Sequence, residues 1–426
     1  MKSIKYMVAM LLCACMWAGY AVGAFCAEQV ELHIGFYEAS AGFGQTGKKM
    51  IELIEEFAKA NPQYKVTYSS AGYSAFFNQL PVHLVSGVGP DVWLCDGVLV
   101  AQYKDNGFAL DLTTRVNGLP NIGDYFGIDT NRDNEGHIWA FPQGLQVSAF
   151  FYNKEHFQKG GLAFPTENWT LDDVRMVARK LTLDPDNDGT PNQYGFRSIN
   201  HVTEGWYPII RAFGGDILDK SGRKSMISDS RTIDALRYMV EMVHVDRSSP
   251  PPGTNVFDWF PQQLVSMQYG LYIRTFPANE RGFDYDITLV PIGPGGRFNP
   301  VIVNSWVINA QTSPAKQQAA WDWIMFFSSE YAQREWTLLG EAVPINRKVA
   351  VTTFMQMDVP PKNRMVFVNS LEHAVPISPS PIWSKWQSAV SSALNNAFYG
   401  RVNVYEAAML AHQNVQVLLD EYYANK

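Results

Sequence analysis

The chain predicts an α/β protein built as two lobes. Its structured part opens strand, helix, strand, helix, strand, the alternation that builds a largely parallel sheet with helices on its faces. One early strand, "PDVWLC", is a continuous apolar run of the kind such a sheet buries on both sides. Of 426 residues, roughly 400 remain behind an export segment, too many for one ordinary core and about right for two.

The export segment comes first. "MKSIKYMVAMLLCACMWAGYAVGAFCAEQVEL" sets Lys2 and Lys5 ahead of an uncharged apolar run that ends among small residues before Glu28. Val22 and Ala24 suit cleavage after Ala24, whereas cleavage after Ala27 leaves bulky Phe25 badly placed. Residues 1–24 therefore read as a signal peptide, and the mature protein is expected in the periplasm or another extracytoplasmic space. An uncleaved anchor ranks below this, since Tyr6 to Ala27 could just span a bilayer at about 20 residues. Lipidation of Cys26 or Cys15 ranks below it too. Only Cys26 and Cys95 stay in the mature chain, too few for a disulfide framework or a cysteine-rich metal site. Losing Lys2 and Lys5 takes the formal charge from −7 to −9, which argues against nucleic acid or an anionic membrane surface as the main partner.

"VELHIGFY" alternates like a strand and leads through a glycine-containing loop into "GKKMIELIEEFAKANP". There Met50, Leu53, Ile54, Phe57 and Ala58 share one helical face and Pro62 lies past the end. "YKVTYS" alternates again before "PDVWLC". Then come a long apolar extended stretch in "IWAFPQGLQVSAFFYNKEHFQKGGL" and a helix in "WTLDDVRMVARKLT", with Thr170 and Asp173 as a capping box. Further helices read at "TIDALRYMVEMVH", at "SPAKQQAAWDWIMFFSSEYAQREW" with Ser313 as cap and Pro314 at the first position, and at "VYEAAMLAHQNVQVLLDEYY". "SSPPPG" at 248–253 reads as a surface break. Twelve Trp, 20 Tyr and 25 Phe exceed what two cores need and leave some rings for a binding cleft.

"LDPDNDGTPNQYGF", residues 183–196, sets Asp184, Asp186 and Asp188 at the first, third and fifth positions of a calcium loop. Gly189 stands at the turn, Thr190 could give its carbonyl and Asn192 falls at the ninth position. The twelfth, which should be a bidentate Glu, is Gly195, so the full pattern fails at its last ligand. The competing reading is an Asp/Asn turn that bonds its own backbone. Three carboxylates this close repel unless a cation sits between them, which favours calcium in a structural role. No organic cofactor is expected. Nor does the sequence hold a GxSxG, an HExxH or a phosphate-cradling glycine loop. His137 and His201 lack metal-ligand spacing. Carboxylates such as Glu204 and Asp216 are available for glycoside hydrolysis, but nothing in the pattern singles them out.

In order and spacing, a set of segments covering nearly all the mature chain resembles the extracellular solute-binding proteins of family 1. These are the maltose-binding-protein-like sugar-binding components of bacterial ABC importers. The segments are "VELHIGFY", "MIELIEEFAKANP", "GVGPDVWL", "AFPQGLQVSAFFYNKEHFQKGGL", "NWTLDDV", "GWYPIIRAFGGDILD", "SMQYGLYI", "VIVNSWVIN", "AVPINRKV" and "PIWSKWQSAVSSALNNAFYG". The resemblance implies a two-lobe type II periplasmic-binding-protein fold with hinge crossovers near Gln146, near Asn304 and Ser305, and near Pro344 to Arg347. Lobe 1 would comprise 25–146 and 304–345, and lobe 2 would comprise 147–303 and 346–426. It implies a monomer that binds a carbohydrate between the lobes, hands it to permease subunits and catalyses nothing.

It also implies a ligand set. Trp206 matches the family's aromatic beside "GG" and Trp383 its late cleft tryptophan. Tyr272 stands where the family often has another tryptophan. Asn304, Ser305 and Trp306 lie on a hinge strand facing the cleft. Tyr37 and Glu38, and likewise Asp96, end parallel strands at the usual ligand edge. Arg274 could bond a hydroxyl or pair with an acidic sugar. Gln146 and Cys95 replace a glutamate and a tryptophan of maltose binders, which speaks against maltose itself. The runners-up are a receptor for a charged solute, such as a glycerophosphodiester or acidic oligosaccharide, and a secreted glycoside hydrolase.

Overall fold

The computed structural model describes residues 29–38, 44–253, 255–371, 374–377 and 380–426. The segment expected to be a signal peptide, with Cys13 and Cys15, and Cys26 beyond it, lie outside the described residues. Strand β1 (Val30–Glu38) buries Leu32, Ile34 and Phe36 on one side, and it pairs in parallel with β2 (Tyr64–Gly72) and β3 (Val92–Cys95). Helix α1 (Gly44–Ala60) packs with Met50, Leu53, Ile54 and Phe57 inward, as the periodicity predicts, and ends before Pro62. Helix α2 (Tyr73–Val85) and the short helix α3 (Val100–Asp105) flank β3.

The first sheet has the order β2-β1-β3-β8-β4, with β4 at Phe141–Asn153 and β8 at Asn299–Ile308. β4 does not stop there. Phe141 to Val147 pair antiparallel with β8, whereas Ser148 to Asn153 pair with β6 (Val265–Leu271) on one side and β7 (Tyr285–Thr288) on the other. The second sheet continues from β6 to β5 (Tyr194–Phe196). One buried thirteen-residue strand thus belongs to both sheets, with the handover between Val147 and Ser148. β8 extends the seam, pairing at its start with β9 (Ala374–Pro376). The architecture is the mixed α/β arrangement the sequence predicts.

Helix α4 (Leu171–Leu181) carries the predicted capping box: Thr170 Oγ1 accepts from Asp173 N at 3.2 Å and Asp173 Oδ2 accepts from Thr170 N at 2.8 Å. α5 (Tyr207–Ala212) and α6 (Ser230–His244) follow on the same unit. Two sequence expectations need correcting. The single helix read from Ser313 onward is two, α7 (Pro314–Phe327) and α8 (Glu330–Thr337), because Ser329 accepts from Ala332 N at 3.2 Å and starts a second helix. The "SSPPPG" segment is not all surface. Ser248 and Ser249 are sealed, and Ser249 Oγ accepts from Ser198 N at 2.9 Å. The chain closes with α9 (Trp383–Phe398) and α10 (Val404–Ala424), packed side by side.

Strand β5 lies so close to α4 that a Cβ on Gly195 would stand 2.0 Å from the carbonyl oxygen of Ala178. Gly195→Ala is therefore expected to cost about 3 kcal/mol or more, since the obstacle is helix backbone that no rotamer change relieves. Urea denaturation checks this; a cost below about 1 kcal/mol would mean that the strand and helix are not in this contact.

Candidate functional site

A cavity of about 450 Å³ opens between the two units. One wall is α3, with Lys104 and Asp105, together with the segment from Thr130 to Asn134 and Trp139. The facing wall is the turn from Asp216 to Gly222, with Ser380, Pro381 and Tyr423. On the first wall the residues fix one another. Asp133 Oδ2 accepts from Lys104 Nζ at 2.6 Å and from Trp139 Nε1 at 2.8 Å, while its Oδ1 accepts from the amides of Glu135 and His137, both at 2.9 Å. Burial opposes ionisation of Asp133, but the bonds from Lys104, Trp139 and His137 outweigh it and hold the carboxyl below the usual carboxylate range. Lys104 lies 5.2 Å from the centre of the Trp139 ring and is 33 % exposed.

Asp216 on the facing wall pairs with Arg211 and accepts from Ile217 N at 2.8 Å; burial keeps its carboxyl above the ordinary range despite Arg211. Across the rim, Lys426 Nζ reaches Asp105 Oδ2 at 2.8 Å, so an ion pair joins the two walls. The cavity offers an indole ring held by a hydrogen bond, fixed carboxylates and a partly free ammonium. Such a surface suits a ligand with both hydroxyls and apolar C–H faces.

None of the predicted ligand residues lines this cavity. Some adjoin it: Gly97 follows Asp96, Asn131 Nδ2 donates to Ser305 Oγ at 2.7 Å, and Ser380 and Pro381 lead into Trp383. Tyr37 and Asp96 meet through Tyr73, whose hydroxyl donates to Asp96 at 2.9 Å while its ring meets Tyr37 at 5.2 Å. Glu38 is the last residue of β1. Trp206 and Trp383 both pack against Trp386, at 6.5 and 4.5 Å between rings. Asn304 pairs with Gly144 in the β4–β8 ladder.

Three expected cleft rings are core residues instead. Trp306 is fully buried against Trp323 and Phe327, because alternation along β8 turns it into the first core. Tyr272 is sealed between Phe354 and Phe367, and Trp206 has no exposed surface. Gln146 is buried as a brace rather than a ligand contact: its Nε2 donates to Glu341 O at 2.7 Å and its Oε1 accepts from Ile273 N at 3.1 Å. Arg274 donates through Nε to Glu204 at 2.8 Å.

Sequence reasoning missed Lys104, Asp133 and Trp139. Asp133 and Trp139 stand in "RDNEGHIW", where their separation has no diagnostic value; the turn at Gly136 (φ 92°) and the Arg132–Ile138 bridge bring them together. His137 is half-exposed, with Nδ1 3.7 Å from Asp133. His201 is held neutral, its pKa pushed down to about 4 by burial, and it accepts from Glu204 N at 3.4 Å.

In the acidic turn, carboxylate oxygens of Asp184, Asp186 and Asp188 lie within 4.8 Å of one another. Asn187 (φ 57°) and Gly189 (φ 88°) make the bend. Asp184 Oδ1 is buried without a partner, which fits a cation ligand. Thr190 N donates to Asp188 at 2.7 Å, and Thr190 and Asn192 are exposed.

The chain matches the model of the bacterial extracellular solute-binding protein family over residues 40–334, and it belongs to that family. A binding protein of Brucella abortus is 22% identical over 390 residues, covering 88% of this chain and 89% of the relative. The sn-glycerol-3-phosphate-binding periplasmic protein of Escherichia coli is 28% identical over 152 residues, covering 32% of this chain and 33% of its own. Among solved structures, an ABC substrate-binding protein from Listeria monocytogenes in complex with cycloalternan superposes with a TM-score of 0.79. Its sequence is 21% identical, and the match covers 93% of this chain and 99% of that one. The fold is that of the type II periplasmic binding proteins. No helix among the described residues is long and apolar enough to cross a membrane.

Glu341, also missed, lies in the segment after α8. It is buried, and with Oε2 unpartnered its pKa is pushed up from 4.5 to about 7 by burial. Because folding raises this pKa, Glu341 favours the native state below pH 4.5, and that contribution is lost as pH rises through 7, amounting to about 3 kcal/mol between the two limits. Glu341→Gln is expected to flatten the fall in stability between pH 5 and pH 8, measured by urea denaturation. Parallel pH profiles in the two proteins would contradict it.

Proposed function

We propose that this solute-binding protein captures a carbohydrate in the cavity between its two units, closes over it and delivers it unchanged to the permease subunits of an ABC importer. The observation that carries the reading is the cavity itself: two facing walls from different units, one bearing an indole fixed by Asp133 and Lys104. Sugars need flat apolar surface for their C–H faces and charged or amide groups for their hydroxyls, and this wall supplies both. The fold shared with the cycloalternan-bound Listeria protein supports the same class of ligand. Lobe 1 comprises 25–146 and 304–345, lobe 2 comprises 147–303 and 346–426, and the crossings lie near Gln146, Asn304 and Pro344. The protein acts as a monomer, is exported by residues 1–24 and is not an enzyme. Rotation of one lobe about the shared strands opens and closes the cleft.

In the acidic turn, Asp184, Asp186 and Asp188, with the carbonyl of Thr190 and the side chain of Asn192, would hold a calcium ion. The ion's part is to brace the approach to β5, where Gly195 cannot be the twelfth-position glutamate because α4 leaves no room for a side chain.

Calorimetry against a sugar panel is expected to give binding without product. Trp139→Ala should weaken the best ligand about tenfold to a hundredfold, the worth of one buried ring face. Release of a cleaved glycan, or binding indifferent to Trp139, would refute the proposal. Chelation is expected to lower the melting temperature by about 3 °C or more with sugar affinity nearly intact; an equal loss of affinity would put the ion in the ligand site.

A further inference from the structure

We infer that the ligand is built of β-linked pyranose units whose ring hydroxyls are all equatorial, of gluco or xylo configuration, and that Tyr423 together with Trp139 selects that shape. The inference deepens the carbohydrate-binding reading above and rests on it. Each wall of the cavity carries one aromatic ring: Trp139 on the wall from the first unit, and Tyr423, near the end of α10, on the wall from the second. Neither ring is sealed in a core; both are only partly buried. Both are braced. The indole is fixed by Nε1 donating to Asp133 Oδ2 at 2.8 Å. Arg223, which does not line the cavity, sets its guanidinium 4.4 Å from the centre of the Tyr423 ring, and the Tyr422 ring meets Tyr423 edge-on at 4.9 Å. Helix α10 is in turn tied to the chain just past the turn of that wall: Gln416 Oε1 accepts from Ser225 N at 2.9 Å, and its Nε2 donates to Arg223 O at 3.2 Å. At the rim the ion pair of Lys426 with Asp105 holds the two walls together.

A pyranose is a disc with two faces and an edge. When every hydroxyl is equatorial the polar groups lie at the edge and both faces present only C–H, so an aromatic ring can cover each face without stranding a hydroxyl. An axial hydroxyl stands up from one face. A single aromatic platform tolerates it, because the sugar can turn its other face to the ring. Two platforms do not: the hydroxyl is then buried against a ring without a partner, at a cost of about tenfold or more in affinity. Galacto sugars carry such a hydroxyl at C4 and manno sugars at C2, and an α-linkage puts an axial oxygen at C1. The edge of the disc is served separately. Lys104, Asn131, Asp133, Asp216 and Ser221 line the cavity from both walls and offer donors and acceptors for equatorial hydroxyls.

The test uses the mature protein and trisaccharides matched in length. The β-1,4-linked cellotriose and xylotriose are set against β-1,4-linked mannotriose and galactotriose, with maltotriose as the α-linked member, and calorimetry measures each. The expected result is a preference of about tenfold or more for a gluco or xylo β-linked member over the other three. Tyr423→Leu should weaken that member about tenfold and leave the others within about threefold, so that the preference collapses, whereas Tyr423→Phe, which keeps the ring, should preserve it. Equal or better binding of a manno, galacto or α-linked member would overturn the inference and leave the carbohydrate reading standing. An undiminished preference in Tyr423→Leu would overturn it too. Failure of every sugar to bind would overturn both. Should Tyr423→Leu not fold, Trp139→Leu, which uncovers the other face, makes the same test of the preference.

Discussion

The molecule depends on one shared strand. β4 is hydrogen-bonded to β8 in the first sheet and to β6 and β7 in the second, and all thirteen of its residues are buried. Breaking that ladder would strand backbone groups away from water, so the two units cannot separate there. Gln146 lies beside this handover. An amide suits this position because it donates to Glu341 O and accepts from Ile273 N at once. An ionised glutamate could only accept, and the Glu341 carbonyl would lose its partner. The departure from the glutamate that the resemblance to maltose binders led one to expect thus has a mechanical reason.

The parts of the fold legible in the sequence are those set by local chemistry. The alternation of β1, the apolar face of α1 and the capping box of α4 each depend on residues within a few positions of one another. The break between α7 and α8 was legible in principle, since Ser328-Ser329 is a cap signal inside a helical pattern, but the apolar period runs through it. The site was far less legible. A tryptophan on a strand reads the same whether the neighbouring layer is protein or ligand, and Trp306 and Trp206 found protein. Trp139 became a cavity wall because a hairpin turn returned it to Asp133 and a lysine from α3 covered the pair, a non-local event.

Gly195 shows how packing limits what a motif can become. The acidic turn follows the calcium-loop pattern through its ninth position, and the twelfth falls on β5, where the carbonyl of Ala178 stands in the place of a Cβ. The same contact ties the turn to α4, through Gly195 N donating to Thr182 Oγ1 at 3.0 Å. The strand that ends the turn is thus positioned by the helix, independently of any ion in the turn. An ion there would stiffen an approach whose far end is already fixed, which is why its effect belongs to stability more than to recognition.

Burial alone does not set the charge state at the seam; partners do. Glu204 and Glu341 are both sealed, yet their carboxyls move in opposite directions. Burial raises Glu204 as well, but the guanidinium groups of Arg274 and Arg197 more than reverse it, so Glu204 is anionic at neutral pH and spends its charge on two cations. Among the described residues no cation pairs with Glu341, and burial pushes its pKa up to about 7. Asp96 is likewise raised by burial, with Tyr73 and the amide of Val98 only partly offsetting it. The seam therefore carries its fixed positive excess beside Glu204, on the side of the second sheet.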